Sequence, residues 1–137
     1  MKKDLGAIPG LTDRSIAWGI NSKPQIVGIS ISCDFSVVDA FLWENGGPMV
    51  DLNTLSAPES TLHLFQALSI NERGDISGLG VLPSGDIHAF LLIPCGRGSL
   101  ACRDAAASTV VKQRHSKLNA KQRRALRRMV VRSRVPM

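Results

Sequence analysis

Short apolar segments separated by turn residues dominate the first 94 positions of the chain. Residues 25–30 predict the return strand of a hairpin, and the apolar, aromatic runs at 40–43 and 89–92 are too short for helices and predict buried strands. Residues 49–52 predict the start of a further strand. Gly, Pro and Asn lie between these segments, where they are typical of turns. The pattern therefore predicts an all-β fold for this part of the chain.

The same apolar pattern occurs twice. Residues 17–28 align with residues 67–78 at an offset of 50, and both copies contain Ala-x-x-Ile-Asn. Residues 39–43 align with 88–92 at an offset of 49, and residues 4–6 align with 51–53 at an offset of 47. Three anchors in the same order define one repeated unit.

An asparagine opens the predicted hairpin turn in each copy. The side chains of Asn21 and Asn71 suit this position because they bond nearby backbone groups and tolerate left-handed dihedral angles. Gly74 predicts a positive φ in the second turn, whereas Pro24 at the equivalent position has φ fixed near −65°. The first turn is therefore expected to differ in type from the second.

Each unit contains roughly four short strands in 47 to 50 residues, which is the count of one propeller blade. The predicted architecture is two propeller-blade-like antiparallel repeats, residues 4–50 and 51–94, within a β part of residues 1–94. A linker (residues 95–111) and a basic C-terminal tail (residues 112–137) follow, and the tail is expected to be helical or disordered.

The repeated motifs resemble a known family. The pattern Asp-Leu-Gly, Ala-x-x-Ile-Asn, x-Ile-Val-Gly and Ala-Phe-Leu-Trp is similar to the HAF repeat of bacterial proteins regarded as extracellular, and His88-Ala89-Phe90 carries the motif itself. The resemblance covers about two-thirds of the chain. It implies β-repeat architecture and an extracellular or cell-envelope location, and it implies no activity. The chain departs from the pattern at Pro24, Asp39 and Ser77.

Two repeats are fewer than the four to eight blades of a closed propeller. We therefore expect the chain to be a C-terminal segment of a longer repeat protein. The alternative is a natural short chain that completes its sheets by self-association through open β edges. Residues 1–14 have no apolar run typical of a signal peptide, and no segment is apolar over the roughly 18 residues that a membrane span needs.

The formal net charge of +6 is unevenly distributed. Residues 1–94 contain five Lys or Arg and ten Asp or Glu, whereas residues 95–137 contain twelve Lys or Arg and Asp104 alone. Residues 119–132 predict a helix with Asn119 as N-cap and Gln122 three residues later. Such a basic helix could bind anionic lipid or nucleic acid, or remain a solvated tail. The candidate contacts to an anionic partner are Lys121, Arg123, Arg124, Arg127 and Arg128.

The cysteines suggest a disulfide and no metal site. Cys95 and Cys102 lie seven positions apart in a Gly- and Ser-containing loop, where an oxidising compartment would allow a small ring to close. Two free thiols are the alternative, and Cys33 is left over. The spacing fits no zinc pattern, and we expect no cofactor.

The polar residues do not form a recognisable catalytic motif. Of His63, His88 and His115, none lies in a Gly-x-Ser-x-Gly segment. His88, with Asp86 two residues before it, is the best candidate, although a structural role is favoured. We expect both tryptophans, Trp18 and Trp43, to pack in the core. Carboxylates are expected at turns, at Asp34, Asp39, Asp51, Asp75 and Asp86.

The sequence therefore predicts a non-enzymatic extracellular β-repeat protein with a binding or scaffolding role. The alternative is a small protein that binds nucleic acid or an anionic surface through its basic tail.

Overall fold

The computed structural model describes residues 1–56, 60–95 and 117–132. In these residues the chain forms two antiparallel sheets and one C-terminal helix, and neither sheet closes on itself. The first sheet has the order β1-β2-β3-β4 and the second the order β5-β6-β7. The strands are β1 (Arg14–Ile20), β2 (Ile26–Ile31), β3 (Val38–Trp43), β4 (Val50–Asp51), β5 (His63–Ile70), β6 (Ile76–Val81) and β7 (Ile87–Leu92); a 3-10 turn spans Leu52–Thr54 and helix α1 spans Ala120–Arg132.

The two sheets repeat the same irregularity at the same place. Ala17 pairs with Gly28 in the first sheet, and Ala67 pairs with Gly78 in the second. In both sheets the register shifts directly after this alanine, as a β-bulge does when one strand carries an extra residue. The sequence repeat is therefore also a structural repeat.

A glycine under an aromatic ring marks the centre of each sheet. A Cβ atom on Gly28 would lie 1.9 Å from the carbonyl oxygen of Ile16 and 2.8 Å from Cε1 of Phe41. A Cβ atom on Gly78 would lie 2.0 Å from the neighbouring strand's carbonyl oxygen and 2.9 Å from Cε1 of Phe90. Both positions require glycine because backbone and ring occupy the space of a side chain.

The predicted asparagine turns are confirmed. Asn21 Oδ1 accepts hydrogen bonds from the backbone N–H groups two and four residues later, at 3.1 and 2.8 Å, and Asn71 Oδ1 does the same at 3.0 and 2.9 Å. Gly74 has the predicted positive φ, +85°, and its N–H donates to the Asn71 carbonyl at 3.0 Å. Pro24 has no N–H, so the two turns differ at this position.

The two sheets stack face to face. Strand β5 lies across β1, β2 and β3 of the first sheet. Val27 and Ala40 of the first sheet, Ala67 and Ile76 of the second, and Leu52 from the connecting turn belong to one buried apolar cluster. Leu52 is 1% exposed, so the connection between the repeats forms part of the interface.

The N-terminal segment covers the opposite face of the first sheet. Ile8 packs with Phe41, Trp43 and Met49, and the N–H of Ile8 donates to Ser30 Oγ at 3.4 Å. Trp43 is buried, as predicted. The first sheet is therefore covered on both faces.

The outer face of the second sheet is open at Ala89 and Leu91, contrary to the expectation that residues 89–92 form a buried strand. Ala89 is exposed and Leu91 is 62% exposed, whereas Phe90 and Leu92 are half-buried against the first repeat. The prediction was wrong for one side of the strand because nothing in the described part of the chain covers the outer face at these two residues.

The C-terminal helix is confirmed together with its cap. Asn119 Oδ1 accepts a hydrogen bond from Gln122 N–H at 2.9 Å, and Gln122 Oε1 accepts one from Asn119 N–H at 2.9 Å. This reciprocal pair satisfies two backbone donors that would otherwise lack partners at a helix start. The helix therefore begins directly after Asn119, the predicted N-cap.

Helix α1 packs against both sheets. The N–H of Leu118 donates to the Ser36 carbonyl of the first sheet's hairpin at 3.1 Å, and Asn119 Nδ2 donates to the Pro83 carbonyl of the second at 3.0 Å. Leu118 and Leu126 are 5% and 3% exposed within a cluster that draws residues from both sheets. The helix therefore holds the two repeats together at one end.

Candidate functional site

An apolar groove lies between the first sheet, strand β5 and helix α1. It encloses about 200 Å³ and opens to the surface. The first sheet, a hairpin turn and the helix supply most of its lining, which includes Ile16, Trp18, Ile29, Phe35, Leu126 and Met129. Such concave, mostly apolar surfaces are the usual sites of ligand binding in proteins.

Trp18 is 53% exposed at the mouth of this groove, so the prediction that it packs in the core was wrong. It lies at the bulge of β1, which is an edge strand with no further strand beside it. Ile16 and Ile20 on the same strand are 51% and 64% exposed. Large apolar side chains gathered at an open edge indicate a surface that binds another molecule.

The hairpin between β2 and β3 fixes Phe35 in the groove. Phe35 has φ of +59°, a conformation uncommon for residues other than glycine, and its N–H donates to the Ser32 carbonyl at 3.0 Å. Asp34 accepts hydrogen bonds from Ser36 Oγ, Ser36 N–H and Ser32 Oγ at 2.7, 3.0 and 2.8 Å. These bonds hold the pKa of the Asp34 carboxyl well below its usual range, so the turn keeps its charge in mild acid.

A buried ion pair joins the two sheets beside the groove's inner wall. Nε2 of His63 in β5 lies 2.8 Å from Oδ1 of Asp39 in β3 and 2.9 Å from the Val38 carbonyl oxygen. The two side chains are 12% and 4% exposed. Burial lowers the pKa of His63, but the hydrogen bond and charge of Asp39, with smaller contributions from Val38 and Asp51, raise it above its ordinary value.

The position of this pair follows from the short fourth strand. Strand β4 pairs with Leu42 and Phe41 only, so the Val38 end of β3 extends past it, and His63 bonds the Val38 carbonyl there. The expectation that Asp39 lies at a turn was wrong, because Asp39 lies within strand β3, where it pairs with Ser30 of β2. The histidine with a perturbed environment is His63, whereas His88, the sequence candidate, is exposed on the edge strand β7.

The predicted cationic residues share the outer side of α1. Lys121, Arg123, Arg124, Arg127 and Arg128 are all exposed, while Gln122 and Leu126 face the sheets. Within residues 1–56, 60–95 and 117–132, the ion pairs involve Arg14, His63 and Arg73, so the helix cations have no carboxylate partner there. Their role in binding stays a prediction.

Several other sequence expectations concern residues at or beyond the limits of the described chain. Cys95 is the last described residue before the gap, whereas Cys102 and His115 lie outside the described residues, so the disulfide stays a prediction. Cys33 is an exposed free cysteine. In the part of the chain that the structure describes, no three His, Cys, Asp or Glu side chains are grouped so that they could hold a metal ion. No described helix is long and apolar enough to span a membrane.

Comparisons with known proteins give no relative for this chain. No family model matches it, and neither a curated protein nor a solved structure matches it. The groove itself was not predicted from the sequence. The signal that could have indicated it is the row of apolar residues Ile16, Trp18 and Ile20 on a strand that has a neighbour on one side only.

Proposed function

We propose that this chain is a non-enzymatic binding module built from two propeller-blade-like repeats of the extracellular HAF type, and that the apolar groove is its ligand-binding surface. The observation that carries the proposal is the groove of about 200 Å³ with half-exposed Trp18 and Ile16 at its mouth. The stacked antiparallel sheets and the glycine, bulge and asparagine features common to both support the blade-like description.

The chemistry of the lining favours an apolar or aromatic ligand. Its side chains are Ile, Trp, Phe, Val, Leu and Met, with Gln66 as the polar exception. Burying apolar surface stabilises a complex by about 25 cal/mol for each Å² removed from water, before the cost of association. A ligand that covers Trp18 and Ile16 would therefore gain most of its affinity from contact area, and its orientation from the rim of the groove.

A neutral fluorescent probe tests this binding surface directly. N-phenyl-1-naphthylamine, which fluoresces in apolar surroundings and carries no charge, should bind the wild-type chain with a saturable signal. We expect Trp18→Ser to weaken binding by roughly tenfold, the equivalent of about 1.4 kcal/mol. Ile93→Ser is the matched control, because Ile93 is 67% exposed and lies outside the groove lining. Equal losses in the two variants would mean that the probe adsorbs to exposed apolar surface in general, and the proposal would be wrong.

A second function is favoured by a different observation, the exposed cationic side of α1. The helix is capped by Asn119 and held to both sheets through Leu118 and Leu126, so its five cations lie on a preformed element. An isolated helix of this length would be marginal in water, and binding would have to supply the ordering free energy. A preformed helix avoids that cost, which supports binding to an anionic surface.

Vesicle and DNA titrations separate the sources of negative charge. The wild-type chain is titrated with phosphatidylglycerol vesicles, phosphatidylcholine vesicles and duplex DNA at 50 and 200 mM salt. Binding to an anionic partner should fall steeply with salt, and the variant with Gln at Arg123, Arg124, Arg127 and Arg128 should lose it. The control variant carries Gln at Arg14 and Lys23 of the β part. Equal binding by both variants would refute a role for the helix.

A further inference from the structure

Part of the interface between the two repeats has a counterpart on the second repeat that helix α1 leaves open. Helix α1 packs against Leu79, Val81 and Ile87 at one end of that face. The strand registers make Val27 and Ala40 of the first sheet equivalent to Ser77 and Ala89 of the second, because each pair has the same relation to the central glycine and the bulge. Val27 and Ala40 are fully buried in the stack. Ser77 and Ala89 are exposed, and Leu91 beside them is 62% exposed.

We infer that the part of this outer face that α1 leaves open, at Ser77, Ala89 and Leu91, binds the first repeat of a second copy of the chain. The inference rests on the proposed description of the repeats as blade-like units. It commits to a face-to-face, head-to-tail contact, which differs from pairing of open strand edges. The same surface that Val27, Ala40 and Leu42 form inside the chain is repeated by Ser77, Ala89 and Leu91 outside it.

Leu5 of the second copy is the residue that would pack against the open part of the outer face, as Leu52 packs against the first repeat within the chain. Within the chain, Leu52 from the connecting turn is buried against Val27 and Ala40. Its equivalent at the offset of 47 is Leu5, which is half-buried on the face of the first repeat that points away from the second. Asp4 and Asp51 precede these leucines, and each accepts a 2.9 Å hydrogen bond from the N–H two residues later. Leu5 is thus presented by the same local structure as Leu52.

Polar groups at one end of the stack repeat in the same way. Asn21 Nδ2 donates to Gln25 Oε1 at 2.7 Å and to the Asn71 carbonyl at 3.0 Å, across the interface. In the described part of the chain, Asn71 Nδ2 donates to Asp75 Oδ2 at 2.8 Å. The other N–H of the Asn71 side-chain amide corresponds to the N–H with which Asn21 bonds the Asn71 carbonyl across the interface. The Asn21 carbonyl of a second copy is the matching acceptor, as the Asn71 carbonyl is within the chain.

A head-to-tail contact uses different surfaces on the two copies, so it can be tested with complementary variants. Leu91→Glu damages the outer face of the second repeat, and Leu5→Glu damages the first repeat. We expect the wild-type chain to form concentration-dependent species larger than a dimer in sedimentation velocity, and each variant alone to be a monomer. An equimolar mixture should form a 1:1 dimer, because one intact surface of each kind remains.

Two further variants calibrate the measurement. Ser77→Val restores the residue of the first repeat and should tighten association by about tenfold, through the added apolar area. Cys33→Glu is the control, because Cys33 is exposed in the hairpin between β2 and β3, at the end of the first sheet opposite the Asn21 turn, and the variant should associate like the wild type. Urea unfolding of every variant checks that it folds.

The outcomes separate this inference from the proposed function. A wild-type chain that stays monomeric at all concentrations overturns the inference, even where it binds the neutral probe. If the mixture of Leu91→Glu and Leu5→Glu stays monomeric, the head-to-tail geometry is wrong. If each of these variants alone still associates, the contact does not use these two faces. Loss of probe binding in a chain that associates as expected would instead count against the groove.

Discussion

Removal of Asp39 should reverse the way in which the stability of this protein depends on pH. In the wild type the pKa of His63 is raised above its ordinary value near 6.5. The folded state therefore binds the proton more tightly than the unfolded state. The stability that this contributes is complete below pH 6.5 and is lost as the pH rises through the folded pKa.

In Asp39→Ala the burial of His63 becomes the largest influence on its pKa, and burial disfavours the charged ring. The folded pKa should then lie below the unfolded value, so the variant should gain stability as the pH rises to about 6.5 and above. Below that range a buried charge has lost its partner, which costs about 3–5 kcal/mol. At pH 9 the ring is neutral and keeps its contact with the Val38 carbonyl, so the cost should fall to about 1 kcal/mol.

Urea unfolding at pH 5, 7 and 9, followed by tryptophan fluorescence, measures these free energies. His88→Gln is the matched control. His88 is exposed and occupies the position in the second repeat that Asp39 occupies in the first. Its pH dependence should match that of the wild type. A free-energy loss in Asp39→Ala that is equal at pH 5 and pH 9, or wild-type stability that rises between pH 6.5 and 8, would refute the reasoning.

Three other substitutions test the packing, each by the change in urea midpoint. Gly28→Ala should cost about 3 kcal/mol, the upper part of the overpacking range, because the new Cβ meets the Ile16 carbonyl oxygen at 1.9 Å; a neutral result would contradict the structural role of the glycine. Asn119→Ala should cost about 1 kcal/mol and reduce the helical circular dichroism signal, and an unchanged signal would count against the cap. Leu126→Ala should cost about 2–4 kcal/mol, whereas the exposed neighbour Arg127→Ala should stay within about 0.5 kcal/mol; similar values for the two would mean that α1 is not docked.

Features that depend on a few neighbouring residues could be predicted from the sequence. Asn21 and Asn71 bond the backbone of their own turns, so the residue type and its surroundings are enough to place them. The helix start at Asn119 is equally local, since its partner Gln122 is three residues away. The repeat itself was visible because both copies keep these local features in the same order.

Features that depend on which faces meet could not be predicted in this way. Trp18 and Trp43 occupy strands of similar composition, and the N-terminal segment covers Trp43, whereas no strand lies beyond Trp18. Asp39 resembles a turn residue in the sequence, but the partner that permits its burial, His63, belongs to the other repeat. The alternation in β7 likewise gave no sign that its outer side lacks a cover.

Differences between the two repeats bear on how tightly copies of the chain would associate. On the open part of the outer face, Ser77 replaces the Val27 of the first repeat. Stable, permanent interfaces are more apolar than transient ones, and each polar replacement removes apolar area that the contact would bury. The inner interface should therefore be permanent, and the contact between copies reversible. The sharpest check is a sedimentation series at rising protein concentration, in which wild type dissociates on dilution and Ser77→Val dissociates at a concentration about tenfold lower.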